Sequence, residues 1–400
     1  MVTTAAELDA ADSLAPARDL FVQSAGVSAY LDGNSLGRPL AASVTRVSEF
    51  MTDAWGSRLI RGWDEGWLDL AESIGDDLGR VVLGAEPGQA TIGDSTTVLL
   101  YKLVRAAVDA RPGRTELLID RDNFPTDRYV LEGIAAERGL TVKWIDTDAA
   151  TGVTPADVAE AVGPDTAVLV LSHVSYRSGF LADVAAITAL AHDAGALVLW
   201  DLCHSAGVVT TELDAWGVDL AVGCTYKYLN GGPGSPAFAY VAARHQAALR
   251  QPIQGWLGSA TPFEMGQGYE PAAGIRGFTS GTPPIIGMLA MRDMIALIEH
   301  HGLAAVRAKS EALTAFAVEL VDELIPDAAL ASPRDPARRG SHITIDHDGF
   351  SAIMPRLWEQ GVIPDFRRPN GIRLGLSPLS TSFSELELGV RAIAAELAAG

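Results

Sequence analysis

The sequence predicts an α/β fold: a large domain on a mostly parallel sheet covered on both faces, then a smaller α+β domain at the C-terminal end. Three observations carry this. Residues 115–242 alternate short β-branched runs with helical stretches, the pattern of strands joined by helical crossovers. Several of those runs are apolar almost throughout, as strands buried on both faces require. After about residue 290 the texture changes to a long helical pattern followed by isolated strands.

Taken in order, residues 1–45 are expected to join the smaller domain, 46–290 to form the large one and 291–400 the small one. Gly93-Asp94-Ser95-Thr96-Thr97 leads into the amphipathic helix VLLYKLVRAAVDA (98–110). The predicted strands are TELLID (115–120), TVKWID (141–146), TAVLVLSHV (166–174), ALVLWD (196–201), LAVGCTY (220–226) and SPAFAYVA (235–242). Between them VLEGIAAERG (130–139) and VAAITALAHDAG (184–195) read as helices, the second closed by a glycine. Beyond lie a helical pattern over 285–324, strands SHITIDH (341–347) and GIRLGLSP (371–378), and a last helix over 384–398.

Composition narrows the function. A formal charge of −20 disfavours nucleic acid and anionic membranes as partners. No apolar run reaches the ~18 residues that span a bilayer, and the acidic N-terminus does not resemble a secretory signal, so a cytoplasmic location is expected. Cys203 and Cys224 are too few for a disulfide framework and read as small, reduced, buried side chains. No metal site is expected. Of 30 basic residues only four are lysines, at 102, 143, 227 and 309, so few amines compete for lysine chemistry.

In open α/β sheets ligands bind at the C-terminal ends of strands, and several predicted ends deliver polar groups. One strand ends in Asp201 with His204 just beyond, another in Tyr226-Lys227 before a glycine-rich turn, a third in Ser172-His173. The strand 115–120 leads to Phe124 and Asp127. Lys227, following an apolar strand, is expected to be desolvated, which lowers an amine's pKa and suits Schiff-base formation; a surface lysine with a buried stem is the alternative. The other three lysines fit solvent-facing positions. Asp201 would pair a protonated heterocycle nitrogen or merely cap the next segment. Thr96 and Thr97 open a helix whose N-terminus suits a phosphate, though a plain N-cap reads the same.

The Asp201…Lys227 arrangement resembles the aspartate-aminotransferase fold type of pyridoxal-phosphate enzymes. More closely, YLDGNSLGRPL (30–40), NFPTDRY (123–129), WDLCHSAG (200–207), TYKYLNGGPGSPAF (225–238) and RPNGIRLGLSPLSTSF (368–383) resemble kynureninases over nearly the whole chain. The resemblance implies pyridoxal 5'-phosphate held covalently by Lys227, with Asp201 on the ring nitrogen and Phe124 on the ring face. It implies Thr96, Thr97 and Tyr226 on the phosphate, joined by Trp256 and Thr282 of a neighbouring subunit, hence a homodimer. Ser172, His204 and Asp127 line the cofactor, Arg373 clamps the substrate's α-carboxylate, and Asn34 of the GNSLG motif also belongs to the substrate site. Lys227, Tyr226 and Asp201 are the implied catalytic groups.

The implied reaction is hydrolysis of the Cβ–Cγ bond of L-kynurenine to anthranilate and L-alanine. Trp63 and Thr282 stand where animal members carry His and Asn, which implies a preference for kynurenine over 3-hydroxykynurenine. A cysteine desulfurase of the same fold needs a thiol on a loop of the smaller domain, and none lies beyond Cys224. An aminotransferase would present the same Lys, Asp and Arg, and a non-catalytic binding module of the same fold is the third reading.

Overall fold

The computed structural model describes residues 4–148 and 150–399. In chain order the strands are β1 (Ala29–Leu31), β2 (Ala90–Gly93), β3 (Glu116–Asp120), β4 (Thr141–Ile145), β5 (Thr166–Ser172) and β6 (Leu197–Asp201). They continue with β7 (Leu220–Gly223), β8 (Ala237–Val241), β9 (Ala329–Leu330), β10 (His342–Asp346), β11 (Val362–Arg367) and β12 (Gly371–Gly375).

Seven strands form the large sheet in the order β2-β8-β7-β6-β5-β3-β4. β3 to β7 are mutually parallel, and β8 runs against both its neighbours. Alternate residues feed two cores, as a pleated strand buried on both faces demands. Leu117, Ile119, Val168, Val170, Leu197 and Leu199 pack with the helices Thr96–Asp109 and Pro125–Arg138. Leu118, Leu169, Leu171, Val198 and Trp200 face the opposite way, toward Ile187 and Met288.

The second sheet runs β1-β11-β12-β10-β9. Its apolar side, including Ile343, Ile345, Ile372 and Leu374, packs with residues of helices Leu303–Leu324, Phe350–Glu359 and Phe383–Ala398. β1 pairs parallel with β11, Tyr30 opposite Ile363, so the N-terminal segment is woven into this sheet.

The helical pattern over 285–324 is not one helix. It is two, Ile285–His301 and Leu303–Leu324, broken at Gly302 with φ +80°. A left-handed residue interrupts the hydrogen-bond ladder, but the apolar spacing continues across it, so periodicity alone runs the two together. The helix read from 130 starts at Pro125, which sits at its first turn.

Two of the lysines expected to face solvent are buried. Lys102 is 1% and Lys309 6% exposed. Each is ion-paired, Lys102 with Asp94 at 3.0 Å and Lys309 with Asp12 at 2.7 Å. A buried cation is tolerated only with such a partner. Lys143, on β4 at the edge of the sheet, is half-exposed.

A buried carboxylate braces the strand that leads to Lys227. Asp219, immediately before β7, bonds to His192 at 2.8 Å, His245 at 2.6 Å and Arg244 at 2.7 Å, and accepts from the Val198 N–H at 2.9 Å. Burial pushes its pKa up, but the bonds from His245, His192 and Val198 prevail and hold it well below the carboxylate range. A depressed carboxylate contributes stability above its unfolded pKa of about 4 and loses it as pH falls. Asp219→Asn is therefore expected to cost about 3 kcal/mol of unfolding free energy at pH 7. The gap from wild type should narrow in urea titrations as pH falls below about 4. A cost under about 0.5 kcal/mol, the range of ordinary surface changes, would show that Asp219 is no brace.

Candidate active site

The parallel register brings the strand ends together: Ser172 on β5 lies opposite Asp201 on β6, and Asp201 opposite Val222 on β7. From β7 the chain continues through Thr225 to Tyr226 and Lys227, and from β3 through Asn123 to Phe124. The YLDGNSLG segment closes on this edge. The Gly37 N–H donates to the Tyr226 carbonyl at 2.8 Å, and a Cβ on Gly37 would stand 2.3 Å from the Lys227 carbonyl oxygen. Only glycine permits that approach.

Lys227 is buried, and its Nζ lies 3.1 Å from Nε2 of His204. Burial first, then the charges of Lys227 and Arg373, hold His204 well below the usual imidazole range. His204 is therefore a neutral ring, able to accept from the amine but not to repel it. Nζ also stands 5.9 Å from the centre of the Phe124 ring and 5.8 Å from that of Tyr226. Phe124 caps the helix Pro125–Arg138, and Asn123 fixes its backbone: Oδ1 of Asn123 accepts the Phe124 N–H at 2.7 Å and the Ser172 hydroxyl at 3.0 Å.

Asp201 is buried and accepts the Cys203 N–H at 2.7 Å. Facing it is Asp127, in the first turn of the helix after Phe124. Burial, then the neighbouring Asp201 carboxyl, push Asp127 well above the carboxylate range. Oδ2 of Asp127 has no hydrogen-bond partner among the described residues. Two dry carboxyls in contact cannot both ionise, and Asp127 is the one that holds a proton.

Beside Tyr226, the residue before Lys227, opens a cavity of about 470 Å³, whose wall also includes Thr96, Thr97 and Thr282. Ser95 is the N-cap, its hydroxyl accepting the Val98 N–H at 3.4 Å. The N–H groups of Thr96 and Thr97 find no acceptor among the described residues, as expected of a first helical turn. Burial, with Cys224 and Cys203 nearby, raises the Tyr226 phenol far beyond neutral pH, so it remains an O–H donor. Unpaired backbone donors at a helix N-terminus, with the Lys227 amine and the buried Asp201 beyond Tyr226, fit a phosphorylated heterocyclic aldehyde. Thr282, which the resemblance assigns to a neighbouring subunit's site, also lines this cavity of its own chain. The Trp256 indole N–H donates to the Thr282 hydroxyl at 3.2 Å, and Trp63 packs edge-on against Trp256 at 6.2 Å.

Arg373 is buried on β12 and its guanidinium is engaged: with Asp365 at 2.5 Å, the Tyr176 carbonyl at 2.6 Å and the Ser35 hydroxyl at 3.1 Å. A bidentate carboxylate clamp is thus not open as it stands. Ser35 is the bond most easily exchanged, since the others involve a carboxylate or a buried carbonyl. Asn34 beside it is fully buried, with both side-chain polar atoms unpartnered among the described residues.

Sequence reasoning missed two contributors. His342, on β10, has its ring 5.7 Å from that of His204 and, among the described residues, neither nitrogen partnered. Its signal was a histidine inside the predicted strand SHITIDH. The second is Asn123, whose bridging role shows only once β3 and β5 pair. Cys203 and Cys224 are buried free thiols, as expected.

Comparison with known proteins agrees with this geometry. Residues 306–393 match the kynureninase C-terminal domain, and 89–258 match the Cys/Met-metabolism pyridoxal-phosphate-dependent enzymes. The chain is 40% identical to the kynureninase of Pseudomonas fluorescens and 41% to that of Burkholderia pseudomallei, over 95% of its own length and 91% of theirs. Among solved structures, cysteine desulfurases share the fold. That of Thermococcus onnurineus superposes with a TM-score of 0.80 at 17% identity, covering 93% of this chain and 95% of that one. CsdA of Escherichia coli gives 0.82 at 17% identity, covering 97% and 99%. With relatives this close along almost its whole length, the chain belongs to the kynureninase family of pyridoxal-phosphate-dependent enzymes.

Proposed function

We propose that this protein hydrolyses the Cβ–Cγ bond of L-kynurenine, releasing anthranilate and L-alanine. The observation that carries the reading is the Lys227 amine, buried at the strand ends and hydrogen-bonded to a neutral imidazole rather than ion-paired. When bound, pyridoxal phosphate supplies an electrophilic aldehyde and a ring that accepts the electrons released at the substrate's Cα.

The side chains then divide the work. Lys227 holds the cofactor and, once displaced by the substrate's amine, takes the Cα proton. Asp201 accepts the pyridine N–H and keeps it protonated, while Phe124 covers one ring face. Ser172, through Asn123, fixes that phenylalanine. Thr96, Thr97, Tyr226 and Thr282 hold the phosphate, with Trp256 orienting Thr282. Arg373 exchanges Ser35 for the substrate's carboxylate beside Asn34. Water adds to the γ-carbonyl of the substrate, the Cβ–Cγ bond breaks as the hydrate collapses to anthranilate, and Tyr226, whose ring centre lies 5.8 Å from the Lys227 amine, returns a proton to Cβ. Anthranilate fluorescence on mixing with L-kynurenine and the cofactor is expected. Amino transfer to a keto acid without anthranilate would assign an aminotransferase instead, and no reaction a binding module.

We also place Trp63 at the aryl end of the substrate site, since it packs on Trp256, which bonds Thr282. An indole offers no hydrogen bond to a ring hydroxyl on its face, so desolvating that hydroxyl goes uncompensated. Kynurenine is expected to exceed 3-hydroxykynurenine in kcat/KM by about tenfold or more. Equal or reversed constants refute this.

A homodimer completes the proposal. Phe50, Trp55, Trp63, Trp67, Pro283 and Ile286 form an apolar surface, with Trp55 47% and Ile286 40% exposed. A patch of this kind suits a second copy, and it adjoins the Thr282 loop. Trp55→Glu with Ile286→Glu is expected to give a monomer by sedimentation with weakened cofactor affinity. A wild-type protein that is already monomeric and active removes the dimer. In this reading residues 1–45 serve the small domain, 46–290 bind the cofactor and 291–400 form the small domain.

A further inference from the structure

The cavity that takes the phosphate has an acid on its wall. Asp94, directly before the N-cap Ser95, lines it. So does Lys102, two turns along the same helix and 1% exposed. Its Nζ donates to Oδ2 of Asp94 at 3.0 Å and to the Ser280 hydroxyl at 2.7 Å, and Ser280 in turn donates to the same Asp94 oxygen at 3.2 Å. Asp94 has φ +51°, a left-handed backbone that aspartate tolerates at some strain.

A carboxylate beside a bound phosphate is a like charge at close range, and little solvent screens it there. The site has that acid and answers it with a cation. Burial pulls the Lys102 ammonium's pKa down, and the Asp94 carboxylate opposes the fall. The same ammonium ties Ser280, two residues before Thr282, to the turn that opens the helix. No other cation on this wall could do either task, since Lys102 is the one basic residue there among the described residues.

We propose that Lys102 is a positioning residue for the cofactor's phosphate, neutralising Asp94 on the cavity wall and pinning the Ser280–Thr282 loop against the helix N-terminus. The inference rests on the reading that this cavity holds the phosphate, and deepens it.

The experiment titrates the apoprotein with pyridoxal 5'-phosphate and with pyridoxal, which lacks the phosphate, following cofactor absorbance and tryptophan fluorescence. Lys102→Met is expected to raise the Kd for pyridoxal phosphate by on the order of 10- to 100-fold, and that for pyridoxal by less than about threefold. Adding Asp94→Asn to Lys102→Met should recover most of the loss, because an amide does not repel phosphate. Asp94→Asn alone, which leaves no unpaired acid, should bind pyridoxal phosphate as tightly as wild type or tighter, and it decides the matter if Lys102→Met does not fold. Equal weakening toward both ligands, or weaker binding by Asp94→Asn alone, overturns the proposal. A wild type that does not prefer pyridoxal phosphate to pyridoxal overturns the phosphate reading itself, and the role of Lys102 with it.

Discussion

Lys227→Ala is expected to lower kcat/KM for kynurenine by about four orders of magnitude, the upper range for loss of a positioned acid–base group, with a small part restored by added methylamine. Three of the four lysines are removed from water, but two of these amines are committed: Lys102 to Asp94 and Lys309 to Asp12. Burial pulls both amines' pKa values down while their carboxylates oppose the fall, and freeing either amine as a nucleophile breaks an ion pair. Lys227 faces His204, whose ring burial and the nearby cations keep neutral. Its proton can leave without breaking an ion pair.

Lys102 is the informative competitor, because it also lines the phosphate cavity. Borohydride reduction of the holoprotein followed by peptide mapping should tag Lys227 alone. A tag on Lys102, or methylamine failing to restore any activity to Lys227→Ala, would sink the assignment. Lys227→Arg should be no better than alanine, since its charge is kept but its nucleophilicity is lost.

Much of this was legible in the chain itself. Runs such as TAVLVL and ALVLWD are too apolar to be anything but doubly covered strands, and their ends carry Ser172 and Asp201. Strands without that signature were not legible. β2 has four residues and β1 three, while β11 contains Pro364 and Asp365. Their pairing is decided by long-range partners, as where Pro364 lies opposite Leu31. The burial of Lys102 was hidden for a related reason. A lysine on a helix reads as solvated until a carboxylate from outside the helix is seen to meet it, and Asp94 does so only through its left-handed turn. The engaged state of Arg373 likewise depends on Asp365 lying opposite it on β11.

Unequal effects are expected from the two facing acids, although both are buried and chemically alike. Asp201→Asn should lower kcat by on the order of 10²- to 10³-fold, because the amide cannot hold the ring nitrogen protonated and a shift of two units there is worth about 3 kcal/mol. Asp127→Asn should cost tenfold or less, because Asp127 is the protonated partner and an amide donates the same hydrogen bond. The pair then has a signature that independent residues lack. With Asp201 replaced, the largest charge opposing the ionisation of Asp127 is gone, leaving burial and the Asp120 carboxyl, so Asp127 takes over part of the missing charge and softens the single loss. The double variant Asp201→Asn/Asp127→Asn has no carboxylate left and should fall below the product of the two single effects, a coupling that a double-mutant cycle reads directly. Strict additivity, or an Asp127→Asn variant as impaired as Asp201→Asn, would mean that the proton is not shared. The charge on the ring nitrogen would then have to come from Asp201 in an environment that Asp127 does not influence.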